Sequence, residues 1–131
     1  MQQLRVAPYS YDWVDFAGSK SPRRLTPDLP TLSVGQSFLI FRVTEFEEPV
    51  HITGALPPER AARHGDVAVS YQVVPSADGR CRLVVRVAVE KRSGASETLR
   101  RRGLAWGDLI MMRKQLLTLK KLAERDARAD R

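Results

Sequence analysis

Hydrophobic and polar positions follow two different periods along this chain. In one stretch Val67, Val69, Tyr71 and Val73 alternate with Ala68, Ser70 and Gln72. After a short break, Cys81, Leu83, Val85, Val87 and Val89 alternate with Arg82, Arg86 and Glu90. A period of two predicts strands with one face on a core and the other in water. Pro75 to Arg80 lies between the two runs, and its Asp78-Gly79 pair supplies the positive φ that a tight hairpin connection needs. From Leu104 the period lengthens. Ala105, Leu109, Met112, Leu116, Leu119 and Ala123 fall in one sector at about 100° per residue, flanked by Leu104 and Leu122. The pattern predicts a long amphipathic helix from Leu104 to about Arg128, its main stripe laid on the sheet. A second stripe, Trp106, Ile110 and Leu117, falls on another side and asks for a cover of its own.

The remaining segments are shorter. Ser37 to Thr44 is β-branched or aromatic almost throughout and reads as one strand, which sets Phe38 and Ile40 on the face opposite to Leu39 and Phe41. Glu45 to Pro49 reads as a turn, Val50 to Gly54 as a short strand, Leu56 to Gly65 as a connection and Ser93 to Thr98 as a loop. Residues 1–36 form a loop-rich lead-in, because Pro8, Pro22, Pro27 and Pro30 each discourage helix at the residue before. Tyr9, Tyr11, Trp13 and Phe16 are costly to leave in water, so the lead-in is not read as disordered. The sum is a single α+β domain, with a curved antiparallel sheet over 37–92 packed on a C-terminal helix over 104–128.

Composition narrows the classes. At 131 residues, with 43% hydrophobic and 28% charged, the chain suits one ordinary globular core. The longest apolar runs, Phe38 to Phe41 and Leu109 to Met112, fall far short of the roughly 20 residues that cross a bilayer. The N-terminus lacks the basic region and apolar run of a secretory signal. The single cysteine, Cys81, cannot form an internal disulfide, and its place in an alternating strand predicts a buried thiol. A cytoplasmic setting fits these features. The net charge of +7 is unevenly placed. Residues 1–90 carry ten Lys/Arg against ten Asp/Glu, and residues 91–131 carry twelve against five. The excess sits in Arg100 to Arg102 and in Arg113, Lys114, Lys120 and Lys121. It reads either as a solvated face or as a contact for an anionic membrane or nucleic acid, with no sequence-specific nucleic-acid partner expected.

Candidate chemistry is sparse. Tyr9, Tyr11, Asp12, Trp13 and Asp15 form the densest cluster of aromatic and acidic groups. They suit either the mouth of a ligand cavity or a loop pinned by its aromatics. Met111 and Met112 offer either a polarizable wall to a ligand or core filling. Tyr71 should point inward, where its hydroxyl needs a partner or a bound molecule. His51, His64 and Cys81 match no zinc spacing, so no metal is expected. Ser10, Ser70 and Cys81 have no identifiable base. No glycine-rich phosphate loop occurs and no cofactor is called for.

Two stretches resemble a known superfamily. The tail Leu104-Ala-Trp-Gly-Asp-Leu-Ile-Met-Met-Arg-Lys-Gln-Leu-Leu-Thr-Leu-Lys-Lys-Leu-Ala-Glu124 resembles the closing helix of SRPBCC proteins, which include START domains and polyketide cyclases. The lead-in from Gln3 to Trp13, followed by Ser21-Pro-Arg-Arg-Leu-Thr-Pro27, is similar to the early segment of one bacterial branch. The resemblance implies a helix-grip fold with an apolar cavity between sheet and helix. It also implies a first strand and helix pair, of which Gln2 to Arg5 matches only the end of the first helix. The chain is therefore expected to start inside that helix, either as a truncated sequence or as a protein that works without the strand, and to be either less stable or completed in its sheet by another copy. On this basis the expected function is binding of a small hydrophobic molecule, lipid-, polyketide- or aromatic-like. Tyr9, Tyr11, Asp12, Trp13, Tyr71 and Met112 are the expected ligand-binding residues. A cyclase or dehydratase activity using Tyr or Asp groups for proton transfer is the alternative that related folds suggest.

Overall fold

The computed structural model describes residues 3–6, 24, 26–90 and 95–129, the side chains of residues 6, 64 and 95–109 excepted. In chain order the elements are α1 (Gln3–Val6), β1 (Ser37–Phe38), β2 (Phe41–Glu47), β3 (His51–Ala55), α2 (Pro58–His64), β4 (Val67–Pro75), β5 (Cys81–Val89) and α3 (Ala95–Ala129). The protein is α+β, a five-stranded antiparallel sheet and a long C-terminal helix. These elements fall into two compact units, one holding the sheet with α1 and α2, the other holding α3.

Each strand of the sheet pairs with its sequence neighbour, in the order β1-β2-β3-β4-β5. The predicted hairpin is β4–β5, in register from Val67↔Val89 to Pro75↔Cys81. Its turn closes through Ser76 N–H to the Arg80 carbonyl at 2.8 Å, with Gly79 at φ +74°. Directly opposed residues of an antiparallel pair share a face. Phe46, Ile52, Tyr71 and Val85 therefore form one cross-strand row of the inner face, and Val43, Gly54, Val69 and Val87 form the next. Phe38, Val43, Ile52, Val69 and Tyr71 are buried on this face, and Leu4 and Leu32 are buried in the same unit. The Phe38 and Tyr71 rings meet edge to face with centroids 5.5 Å apart, one of the favoured aromatic geometries. The outer face is polar along the rows of His51 and Thr53 and carries three alanines, Ala55, Ala68 and Ala88, in the row after them. Thr53 donates to Ser70 at 3.2 Å, and His51 lies 3.5 Å from Glu45.

Four local expectations are corrected. Ser37 to Thr44 is two strands rather than one, because the chain folds back at Leu39, whose φ is +56°. The fold-back sets Phe38 opposite Phe41, so the alternation drawn through Leu39 and Ile40 fails. Phe38 is buried while Ile40 is exposed. The connection after Leu56 contains α2, which starts with Pro58 in its first turn and ends before Gly65, an asymmetry that favours helix. The long helix begins at Ala95 rather than Leu104, so Ala95 to Thr98 and Arg100 to Arg102 are helical. Glu97, Leu99 and the three arginines are good helix formers, and they outweigh the small polar residues before them. Cys81 is exposed rather than buried, because it opens β5, the last strand of the sheet.

In α3 the deepest positions are Leu122 and Gln115, on the shoulder of the predicted stripe. Met112, Leu116 and Leu119 are half-buried and Ala123 is exposed. A buried glutamine is invisible to a hydrophobicity count, which is why the stripe was centred too far round.

Candidate functional site

The sheet is apolar on its inner face, and that face is not covered evenly. Val69 and Val67 on β4 are opposed by Val87 and Val89 on β5. Val69 is buried at 1% exposure, yet Val87 and Val89 keep 43% and 46% of their surface in contact with solvent. The cover therefore thins from β4 to β5. Two valines side by side on one face, both this open, are a small apolar patch rather than a scatter of isolated residues.

Where β4 begins and β5 ends, the sheet also carries an open depression of about 310 Å³, built entirely within the sheet unit. Three alanines make its floor. Ala55, Ala68 and Ala88 face one another across β3, β4 and β5, on the outer face, opposite to Val69 and Val87, so over these three strands the row, which ends at Arg42 on β2, lacks any group beyond Cβ. Leu56, Val67 and Val89 supply apolar walls, and Asp66 and Glu90 stand at the rim. The backbone there is tied in place. Leu56 N–H donates to the Val67 carbonyl at 2.9 Å and Glu90 N–H to the Asp66 carbonyl at 2.7 Å. The Asp66 N–H in turn reaches the Glu90 carboxylate at 3.4 Å. The volume sits at the small end of the range of about 300–1,000 Å³ that ligand pockets occupy. An apolar floor with two carboxylates on one rim suits a small hydrophobic molecule that carries a hydrogen-bond donor or a positive charge at one end.

The expected ligand-binding residues stand elsewhere. Tyr71 points inward as the alternation predicts and is fully buried, making its edge-to-face contact with Phe38 rather than lining the depression. Met112 is half-buried on α3, in the other unit. Tyr9, Tyr11, Asp12, Trp13 and Asp15 lie outside the described residues. The residues that sequence reasoning missed are the alanine row and Leu56. Their signal is the pairing register, since three scattered alanines become one trough only when β3, β4 and β5 are aligned.

No family model, curated protein or solved structure matches this chain. The likeness to SRPBCC proteins thus rests on the tail and lead-in residues alone. Among the described residues no three His, Cys, Asp or Glu side chains cluster as metal ligands, and no helix is long and apolar enough to cross a membrane. The cationic side chains of α3 belong to the other unit. Arg113, Lys114, Lys120, Lys121 and Arg128 are all exposed.

Proposed function

We propose that this chain is a binding module of SRPBCC type that holds a small hydrophobic molecule in the open depression over the alanine row of its sheet. The supporting observation is the alanine row Ala55, Ala68 and Ala88, which lies open in a depression walled by Leu56, Val67 and Val89. Burying apolar surface from both partners drives such binding, at about 25 cal/mol for each Å² removed from water. The carboxylates of Asp66 and Glu90 orient a ligand by its polar end. Binding is preferred over turnover because the depression brings together two carboxylates at an open rim and no nucleophile with a base beside it.

The test is fluorescence titration with N-phenylnaphthylamine, an apolar probe whose emission rises out of water. Saturable binding is expected, and Ala88→Phe, which fills the trough from an exposed position, should weaken it about tenfold or more. Saturable binding that is unchanged in Ala88→Phe would move the site away from the depression. An absence of binding would remove the proposal.

A further inference from the structure

The described part of α3 carries a second surface with its own chemistry. Ile110 and Leu117 are 53% and 42% exposed, high values for large aliphatic side chains on a helix. They stand two turns apart on one side of the helix, since seven residues at 3.6 per turn return almost to the same angle. By the same spacing Lys114 and Lys121 flank this line on one side, Arg113 and Lys120 on the other, and Arg128 continues it. All five cations are exposed. Of the acidic groups on this side, Glu124 is held by Lys120 at 3.6 Å, an i,i+4 pair. Arg113, Lys114, Lys121 and Arg128 make no ion pair among the described residues. The face is thus an apolar centre line between two rows of exposed cations, of which Lys120 is ion-paired among the described residues.

We infer that this face of α3 docks on an anionic phospholipid surface. Cation rows alone would serve any polyanion, and the apolar line decides between them. A nucleic-acid backbone offers phosphates but no apolar layer to receive Ile110 and Leu117, so binding it would leave both in water or against charge. A bilayer interface presents phosphates and acyl chains a few ångströms apart. Lys and Arg side chains lay their aliphatic stems along that boundary and keep their charges at headgroup level, while the residues between them enter the hydrocarbon edge. The helix lies in the interface rather than across it, because its polar residues leave no spanning stretch. Two apolar anchors and four or five cations make the attachment reversible and strongly dependent on surface charge and salt.

Vesicle co-sedimentation of the full chain tests this. With about 30 mol% phosphatidylglycerol in phosphatidylcholine, the protein should pellet with the vesicles, and raising NaCl from about 50 to about 300 mM should weaken partitioning about tenfold. Pure phosphatidylcholine vesicles should not retain it. Lys114→Gln/Lys121→Gln and Ile110→Ser/Leu117→Ser should each lose most of the binding, with circular dichroism confirming that the helix is kept. Equal retention by both vesicle types, or none by either, overturns the inference. So does full vesicle binding by Ile110→Ser/Leu117→Ser together with equally tight binding of the unsubstituted chain to a duplex oligonucleotide, which would mark the face as a general polyanion contact. The salt and lipid dependence is read on the unsubstituted protein, so it stands even if a variant fails to fold.

Discussion

Gly54 is where a single side chain would disturb the sheet most. It sits mid-strand on β3, and a Cβ there would lie 2.8 Å from Phe38 Cδ1 and 3.1 Å from both the Arg42 carbonyl oxygen and Phe41 Cβ. The Phe38 ring, fully buried and in contact with Tyr71, has taken the space a side chain would need. Glycine is required here by close approach rather than by backbone angle. Gly54→Ala should destabilise the fold by about 1–3 kcal/mol, the usual range for overpacking a filled core, and Gly54→Val by more. Urea denaturation measures both. In a Phe38→Leu background the cost of Gly54→Ala should shrink, because the displaced atom belongs to the ring, and additive costs would show that the backbone oxygen is the obstacle instead.

At the scale of elements, the β4–β5 hairpin carries a titratable lock at its turn. The Asp78 carboxylate pairs with the Arg80 guanidinium and also takes the Arg80 N–H at 3.3 Å. Its pKa lies below the ordinary aspartate value, chiefly through the hydrogen bond from Arg80 and next through that from Ser76. A depressed carboxylate contributes stability that is fully present above the unfolded aspartate pKa and is lost as pH falls through the lower folded one. Asp78 is exposed, so solvent and salt keep the contribution small. Carboxyl chemical shifts followed by NMR should place the Asp78 midpoint below the ordinary aspartate value, and Arg80→Ala should raise it towards that value.

This hairpin was the most legible element, since alternation and an Asp-Gly turn are both local signals. The fold-back at Leu39 was not, because a two-residue turn without Gly, Asn or Pro leaves no mark in a β-rich run. Gln115 was illegible for a related reason. Which side of a helix is covered depends on what lies against it, and an apolar stripe gives only an approximate direction. The depression was hidden in the same way, for Ala55, Ala68 and Ala88 are unremarkable until strand pairing aligns them.

Across the whole molecule, charge and apolar exposure are distributed over the two compact units. The sheet unit carries the acidic-rimmed depression, and the helix carries the basic face on which Ile110 and Leu117 stand. Two sites influence each other only if each ligand biases an equilibrium to which the other also responds. The depression is formed by short backbone hydrogen bonds within one sheet, and the basic face by residues of one continuous helix, so neither site has a visible second arrangement to switch between. Their binding energies should therefore add. Ala88→Phe should weaken N-phenylnaphthylamine binding and leave partitioning onto phosphatidylglycerol vesicles within about twofold of the unsubstituted protein. Lys114→Gln/Lys121→Gln should do the reverse, and the combined variant should show both losses at their single-variant sizes. A vesicle-bound protein that gained or lost probe affinity by tenfold would instead reveal a coupling of about 1.4 kcal/mol, reciprocal by linkage, and would make the helix a regulator of the sheet site.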